Sequence, residues 1–426
     1  MTTVEVRMYH VGFGDAFRVT VRDGRDTWRM LVDCGVHPQG QARSISESVK
    51  NIIADLVGDC GDAPAHLDVV VATHHHQDHI SGFAEDDWSE VQVDQVWVPF
   101  VEDLEDADGK ALRRAQTLTA QKLDALITAR QSLAASDTNA AAVLAAAKAF
   151  AVNSSGNAVA TNRLLSRDGV QFANRPQVRF LPYQDPAANT FDTEKCGVRV
   201  HILGPPRDAN LLKKMNPPTR AGWLTLNLDA DSAEGEGEGA SEWALFNRNY
   251  TITEDQVPPD IAKAKSGLRL STLSNDFGLL VAASILERSV NNTSVFFLLD
   301  VHGVRLLFPG DAQEGAWEHV LNDQNVLTLI KNAEFYKVAH HGSHNATPKP
   351  FVLADWQGTG DAMVPWGLVK AWKNTIPKKE LLAALTEKQH RVTLAKEILP
   401  GPGAPHAAKD VVQTEWWSQL TFTVAE

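Results

Sequence analysis

Cysteine is scarce in this chain. Cys34, Cys60 and Cys196 are the only three in 426 residues, and no two are spaced as C-x-x-C. An odd, sparse set supports neither a disulfide framework nor a thiolate zinc site, and the expectation that follows is a reducing, cytoplasmic setting with Cys34 as a small buried thiol. Positive charge is also in short supply. The 40 Lys and Arg face 53 Asp and Glu, a net charge of −13, which argues against passive adhesion to DNA or anionic membrane while leaving room for a local basic cleft. No run approaches the roughly 20 apolar residues needed to span a bilayer, so no membrane partner is expected. No basic region followed by an apolar core opens the chain, where a strand-like pattern begins almost at once, so no signal peptide is expected either. Against these absences stand 43% hydrophobic and 22% charged residues, an ordinary globular balance. The length suits one large α/β domain with insertions, or two domains.

Histidine, by contrast, is concentrated at one place. Thr73-His74-His75-His76-Gln77-Asp78-His79 follows the β-branched run Val69-Val70-Val71-Ala72, which reads as a buried strand. The spacing of His74, His76, Asp78 and His79 is H-x-H-x-D-H. A turn leaving a strand aims alternate side chains at one point, so His74 and His76 could hold one metal ion while Asp78 and His79 hold a second. Imidazole and carboxylate suit zinc, manganese or iron. The plain alternative is a polar surface loop. An affinity tag is excluded by the internal position.

Around this motif the pattern is mixed. Val4–Val21 reads as strand, glycine turn (Gly12-Phe13-Gly14-Asp15-Ala16), strand, and Met30-Leu31-Val32 leads a further strand into Asp33-Cys34-Gly35. A carboxylate at that strand end is placed to accept hydrogen bonds from metal-binding histidines and fix their orientation, or else simply to cap a turn. Ser44–Leu56 has helical spacing, and Val91–Phe100 is a short strand. Glu102–Lys148, rich in Ala, Leu, Gln and Lys, predicts two helices broken near Ser136-Asp137. Val198–Leu203 is a strand stopped by Gly204-Pro205-Pro206. From Pro205 to about Lys265 the chain is irregular and includes Glu234-Gly-Glu-Gly-Glu-Gly239, read as a solvated acidic spacer. Ser294–Leu299 and Val304–Phe308 form a hairpin through His302 and deliver Pro309-Gly310-Asp311-Ala312. A helix around Gln313–Leu321 precedes Phe335-Tyr336-Lys337-Val338-Ala339, which delivers His340-His341-Gly342-Ser343-His344.

Thr73–His79 resembles the signature of the metallo-β-lactamase fold, a large superfamily of metal-dependent hydrolases. Val11–Ala16, Leu31–Gly35, Asn291, Ser294, Gly310-Asp311-Ala312 and His340–Ser343 are similar, in order and rough spacing, to the branch containing the hydrolase domain of the DNA-uptake channel protein of competent bacteria. Ala362–Pro365, Lys378–Leu385, Arg391-Val392-Thr393 and Leu420–Val424 match its closing half more loosely. The resemblance implies an αββα sandwich forming a single domain over 1–426, with a helical insertion at 102–165 and an irregular one at 205–265. The helical insertion either packs passively or caps the metal site. The resemblance also implies two divalent ions, zinc or manganese, about 3.5–4 Å apart with a bridging hydroxide. His74 and His76 would bind the first ion and Asp78 and His79 the second. Asp311 would bridge, and His340, ending its strand, would complete the second site while His341 faces substrate. The further histidine usual at the first ion is missing, since His201 lies within a strand.

The function expected is a metal-dependent hydrolase, a phosphodiesterase or nuclease acting on nucleic acid or a nucleotide. Asp78, Asp33, His341, Ser343 and His344 are its candidate catalytic residues. Ser343, His344, Asn345 and Thr347 form a polar loop suited to gripping phosphate or protonating a leaving group. Fold alone does not fix substrate, so a phosphocholine ester or lactone is the alternative. A non-catalytic scaffold is the third reading, and the retained ligand set argues against it. The eleven tryptophans, Trp416-Trp417 among them, fit either a protein interface or a core.

Overall fold

A computed structural model describes residues 1–424 apart from 62, 134–137, 219–221, 224–270, 366, 368 and 370–375. The expected break at Ser136-Asp137 and the acidic spacer at 234–239 lie outside the described residues.

The chain is an α/β protein built on two eight-stranded mixed sheets. The strands are β1 (Thr2–Tyr9), β2 (Ala16–Asp23), β3 (Asp26–Cys34), β4 (His66–Val71), β5 (Gln92–Pro99), β6 (Gln177–Leu181), β7 (Thr190–Asp192), β8 (Val198–Gly204), β9 (Phe296–Val301), β10 (Val304–Phe308), β11 (Phe335–Lys337), β12 (Asp361–Val364), β13 (Arg391–Leu394), β14 (Ile398–Leu399), β15 (Val412–Gln413) and β16 (Trp417–Val424). The first sheet runs β15-β16-β1-β2-β3-β4-β5-β6 and the second β14-β13-β12-β11-β10-β9-β8-β7. The pairing series repeats. From β1 to β6 two antiparallel pairings are followed by three parallel ones, and the same series recurs from β8 to β13.

Alternation along the strands explains why both faces of each sheet are covered. In β4, Val69 and Val71 point into a core shared by both sheets, where they join Phe17, Phe297, Leu299 and Phe308. Val70 points the other way, onto a second core that includes Leu67 and, from the helix Ile45–Cys60, Val49, Ile52 and Leu56. Ser44 caps that helix, accepting from Glu47 N–H at 3.2 Å. The outer face of the second sheet is closed by the helices Glu314–Asn322 and Lys379–Glu387 through Trp317, Leu381 and Leu385. A strand segment buried on both faces is mostly apolar, which is why Val69–Val71 in β4 and Phe296–Leu299 in β9 were legible as runs. Trp28, Trp88, Trp97, Trp223, Trp317 and Trp356 are buried, so core packing accounts for these six.

The two helices expected between Glu102 and Lys148 are present as Ala107–Leu133 and Thr138–Ser154. A third helix, Ser271–Asn291, joins them. Its sequence gives little amphipathic signal because it is covered on more than one side. Ala283, Leu286 and Val290 pack with Leu123, Ile127, Leu144, Ala147 and Ala151 in a core separate from the sheets. Among the described residues no helix is long and apolar enough to cross a membrane.

Candidate metal centre

The turns after β3, β4, β10 and β11 meet at one edge of the two sheets. Thr73, just beyond β4, is fixed by Asp33 at the end of β3: its N–H donates to Oδ1 at 2.7 Å and its hydroxyl to Oδ2 at 2.8 Å. Its carbonyl accepts from Val295 N–H at 2.8 Å, which ties the turn to the second sheet. His76, in extended conformation, then starts the short helix Gln77–Ile80 and so turns Asp78 and His79 back over the strand end. Gly310 sits at φ +59°, and a Cβ there would come within 2.9 Å of Thr73 Cβ, so glycine is what lets the turn after β10 approach the histidine motif.

Two groups of donors result, and they share Asp78. Asp78, His79, Asp311 and His341 each present an atom within 4.8 Å of the others, and so do His74, His76 and Asp78. His79 Nε2 is 3.1 Å from Asp311 Oδ2. His341 Nε2 is 3.3 Å from Asp78 Oδ2 and 3.6 Å from Asp311 Oδ2. His74 Nε2 and His76 Nδ1 are 2.9 Å apart. All six side chains are buried. Asp78 Oδ1, His79 Nε2 and Asp311 Oδ2 are buried without a hydrogen-bond partner. An unpaired carboxylate oxygen such as Asp78 Oδ1 is costly unless something electropositive satisfies it, and with the other five side chains around it the donor set fits a metal cation. No family model matches the chain, and no curated protein matches it.

His340 ends the strand and is the expected ligand, but it is His341 that lies with Asp78, His79 and Asp311. Both are in left-handed backbone, at φ +48° and +52°. Together with Asp33 (φ +59°) they make up three of the eight described non-glycine residues at positive φ, each costing about 1–3 kcal/mol, so backbone strain is concentrated at this edge. The turn aims His341 at Asp78 and Asp311, while its Nδ1–H donates to Pro365 C=O at 2.9 Å and leaves Nε2 as the nitrogen that faces the carboxylates. His340 instead faces Glu287 of Ser271–Asn291, with 3.2 Å between Nε2 and Oε1, and its Nε2 is 4.0 Å from Asp311. His201 lies on β8 beside Thr190 and belongs to neither group.

The carboxylates set His79 apart from His74 and His76. Burial alone would push the His79 imidazole down, but Asp311, Asp33, Asp15 and Asp78 outweigh it and hold it well above its ordinary value. Burial would raise the carboxyls of Asp78 and Asp311, yet His79 leads the cations that hold both far below theirs. Burial, followed by His79 and His76, drives His74 well down, and burial takes His76 to about 4. Both therefore stay neutral, the form that binds metal.

Asp33 lies behind His79, 2.8 Å from its Nδ1, and is fully buried. That arrangement directs Nε2 at Asp311. Asp33→Asn is expected to lower metal affinity by about 10–100-fold with the fold retained, measured by equilibrium metal titration. Unchanged affinity would leave Asp33 as a turn residue only.

Several participants were not anticipated. Lys337 Nζ, buried in β11, donates to Gly310 C=O at 2.9 Å, lies 3.1 Å from Asp311 Oδ1 and pairs with Asp15. A lysine inside an apolar strand was a readable signal, since lysine is almost never fully buried unpaired. Glu287 had none. His75 turns away from the other histidines to Glu102 at 3.2 Å, which in turn pairs with Arg113 at 3.3 Å. The helix Thr138–Ser154 is hydrogen-bonded onto the motif itself: Val152 C=O accepts from Gln77 Nε2 at 3.0 Å and Asn153 Oδ1 from Asp78 N–H at 3.2 Å. The helix Thr138–Ser154 therefore lies against the motif rather than apart from it.

A cleft of about 210 Å³ opens beside Asp78 and His340, walled by Phe13, Phe150, Arg288, Ser343, His344 and Lys378 among others. Ser343 donates to Asn345 Oδ1 at 3.1 Å. Burial, then Arg288, His340 and Lys378, lower His344 to about 4. Thr347 is not part of this wall. It is buried, with its hydroxyl 2.8 Å from Tyr336 Oη.

Proposed function

We propose that the chain is a metal-dependent hydrolase of the metallo-β-lactamase type, acting as a phosphodiesterase. The observation that carries this reading is the buried set Asp78, His79, Asp311 and His341 adjoining His74 and His76, with Asp78 common to both and its Oδ1 left without a hydrogen-bond partner. Two sheets sharing a core, with helices outside and the site at the strand ends, support the αββα sandwich. His341 takes the ligand role in place of His340, and two divalent ions, zinc or manganese, suit the nitrogen and oxygen donors. Bound there, divalent metal supplies Lewis acidity and an activated water at neutral pH.

The chain's own residues do the rest. Asp33 and the Pro365 carbonyl fix the ring orientations of His79 and His341. Arg288 and Lys378 bring positive charge to a cleft in an otherwise acidic protein, which suits a phosphate ester better than a neutral lactone. Ser343 and His344 line the same wall and are placed to hold phosphate oxygens. Phe13, with its ring centroid 4.2 Å from that of His341, keeps water off the inner side.

The test is metal content with a generic diester. The purified protein is expected to carry divalent metal, to hydrolyse bis(4-nitrophenyl) phosphate, to lose that activity on chelation and to regain it with manganese or zinc. A metal-loaded protein inert to phosphodiesters would sink this reading in favour of another ester.

A further inference from the structure

We infer that Asn153 is a positioning residue of the metal centre, holding Asp78 from a helix of the insertion by capping the turn that bears it; this rests on the metal-binding part of the reading above and not on the substrate. The turn has no cap of its own. A helix leaves its first N–H groups without partners, and the residue before it ordinarily satisfies one with a short side-chain oxygen. Here His76 holds that place, in extended backbone, and makes no side-chain cap. Its imidazole is committed elsewhere, with Nδ1 2.9 Å from His74 Nε2 and Nε2 3.4 Å from Ser154 Oγ. A ligand cannot also turn back over its own turn. The Asp78 N–H is taken instead by Asn153 Oδ1 at 3.2 Å, from 75 residues further along the chain.

Packing alone does not account for this side chain. Asparagine is a poor helix former and its amide is costly to bury, yet Asn153 lies in the last turn of Thr138–Ser154 at 2% exposure. Asp78 is equally buried, so the bond between them has little competition from water. With it, Asp78 is gripped on both sides of its backbone, since its C=O accepts from Asp15 N–H at 3.0 Å. Asp78 is the carboxylate common to both donor groups, so its direction bears on each ion the centre would hold. The helix that supplies Asn153 is itself fixed. Leu144, Ala147 and Ala151 pack it against Leu286 and Val290 of Ser271–Asn291. Val152 and Ser154 meet Gln77 and His76 on either side of Asn153, so a slip of the helix by one residue would break all three contacts.

The experiment titrates the metal-free full chain with zinc against a chromophoric chelator, and records the visible absorption of the cobalt-loaded protein. Asn153→Leu, close in volume but without the acceptor, is expected to weaken binding about tenfold and to alter the cobalt spectrum, with the circular dichroism of the fold retained. That spectrum follows ligand geometry, and loss of helix packing alone would not move it. Asn153→Asp keeps an oxygen in place and is expected to bind as wild type does. Where leucine prevents folding, Asn153→Ala removes the acceptor without adding bulk and serves in the same comparison. Zinc held as tightly by Asn153→Leu or Asn153→Ala as by wild type would overturn the inference, and so would an Asn153→Asp chain as impaired as Asn153→Leu. None of these readouts involves a substrate. A metal-binding chain inert to phosphodiesters therefore overturns the proposed function alone, whereas a wild type that binds no metal overturns both.

Discussion

Asp311→Ala is expected to lower phosphodiester hydrolysis by more than about a hundredfold and to reduce bound metal, with the circular dichroism of the folded chain preserved. Partners that merely orient a ligand cost about 10–100-fold when removed, and Asp311 stands closer to the centre than that. Its Oδ2 faces His79 at 3.1 Å and His341 at 3.6 Å, while its Oδ1 accepts from His340 N–H at 3.1 Å and pairs with Lys337. One substitution thus removes a donor and releases the turn carrying both histidines. Activity and metal content within a few-fold of wild type would refute the proposed centre.

The second large effect falls on stability. Lys337 is the cation between Asp15 and Asp311, with all three side chains at most 2% exposed. Burial would depress its ammonium, but Asp15 and Asp311 hold it above its ordinary value, so it remains charged. Lys337→Met leaves Asp15 and Asp311 without their shared ammonium, with His79 as the remaining positive group between them. Removing one partner of a buried pair costs about 3–5 kcal/mol, and a loss of that size is expected in denaturant titrations run with a chelator present. Added manganese should return part of it by supplying positive charge at Asp311. A midpoint unmoved from wild type would show that the pair contributes nothing to folding.

The strands and the histidine motif were legible because both follow from short-range rules. A β-branched run such as Val69–Val71 ends where polar residues start, and Asp33 and Asp311 sit at the corresponding ends of their own strands. The ordering of His340 and His341 was not legible in the same way. It depends on two consecutive left-handed residues, and the choice of φ is made by the surrounding turn rather than by the residue type. Glu287 was hidden for a different reason. It belongs to a helix whose partners, Leu144 and Ala151, lie well over a hundred residues earlier, so no local spacing connects it with His340. Asp15 is intermediate: a carboxylate after Gly14 was noticed as part of a turn, but its role requires Lys337 from the opposite sheet.

The repeated pairing series carries a consequence for the lifetime of the protein. Asp33 and the histidine motif leave the first sheet, whereas Asp311 and His341 leave the second, so an ion seated between them is retained only while both sheets are in place. Opening of either one releases it. At a free concentration one hundred times its dissociation constant, such an ion adds about 2.7 kcal/mol to the stability of the whole chain. Proteases attack the opened population, which that increment lowers about a hundredfold. Supply of metal would then govern how long each copy survives as well as how fast it turns over, through the same few side chains.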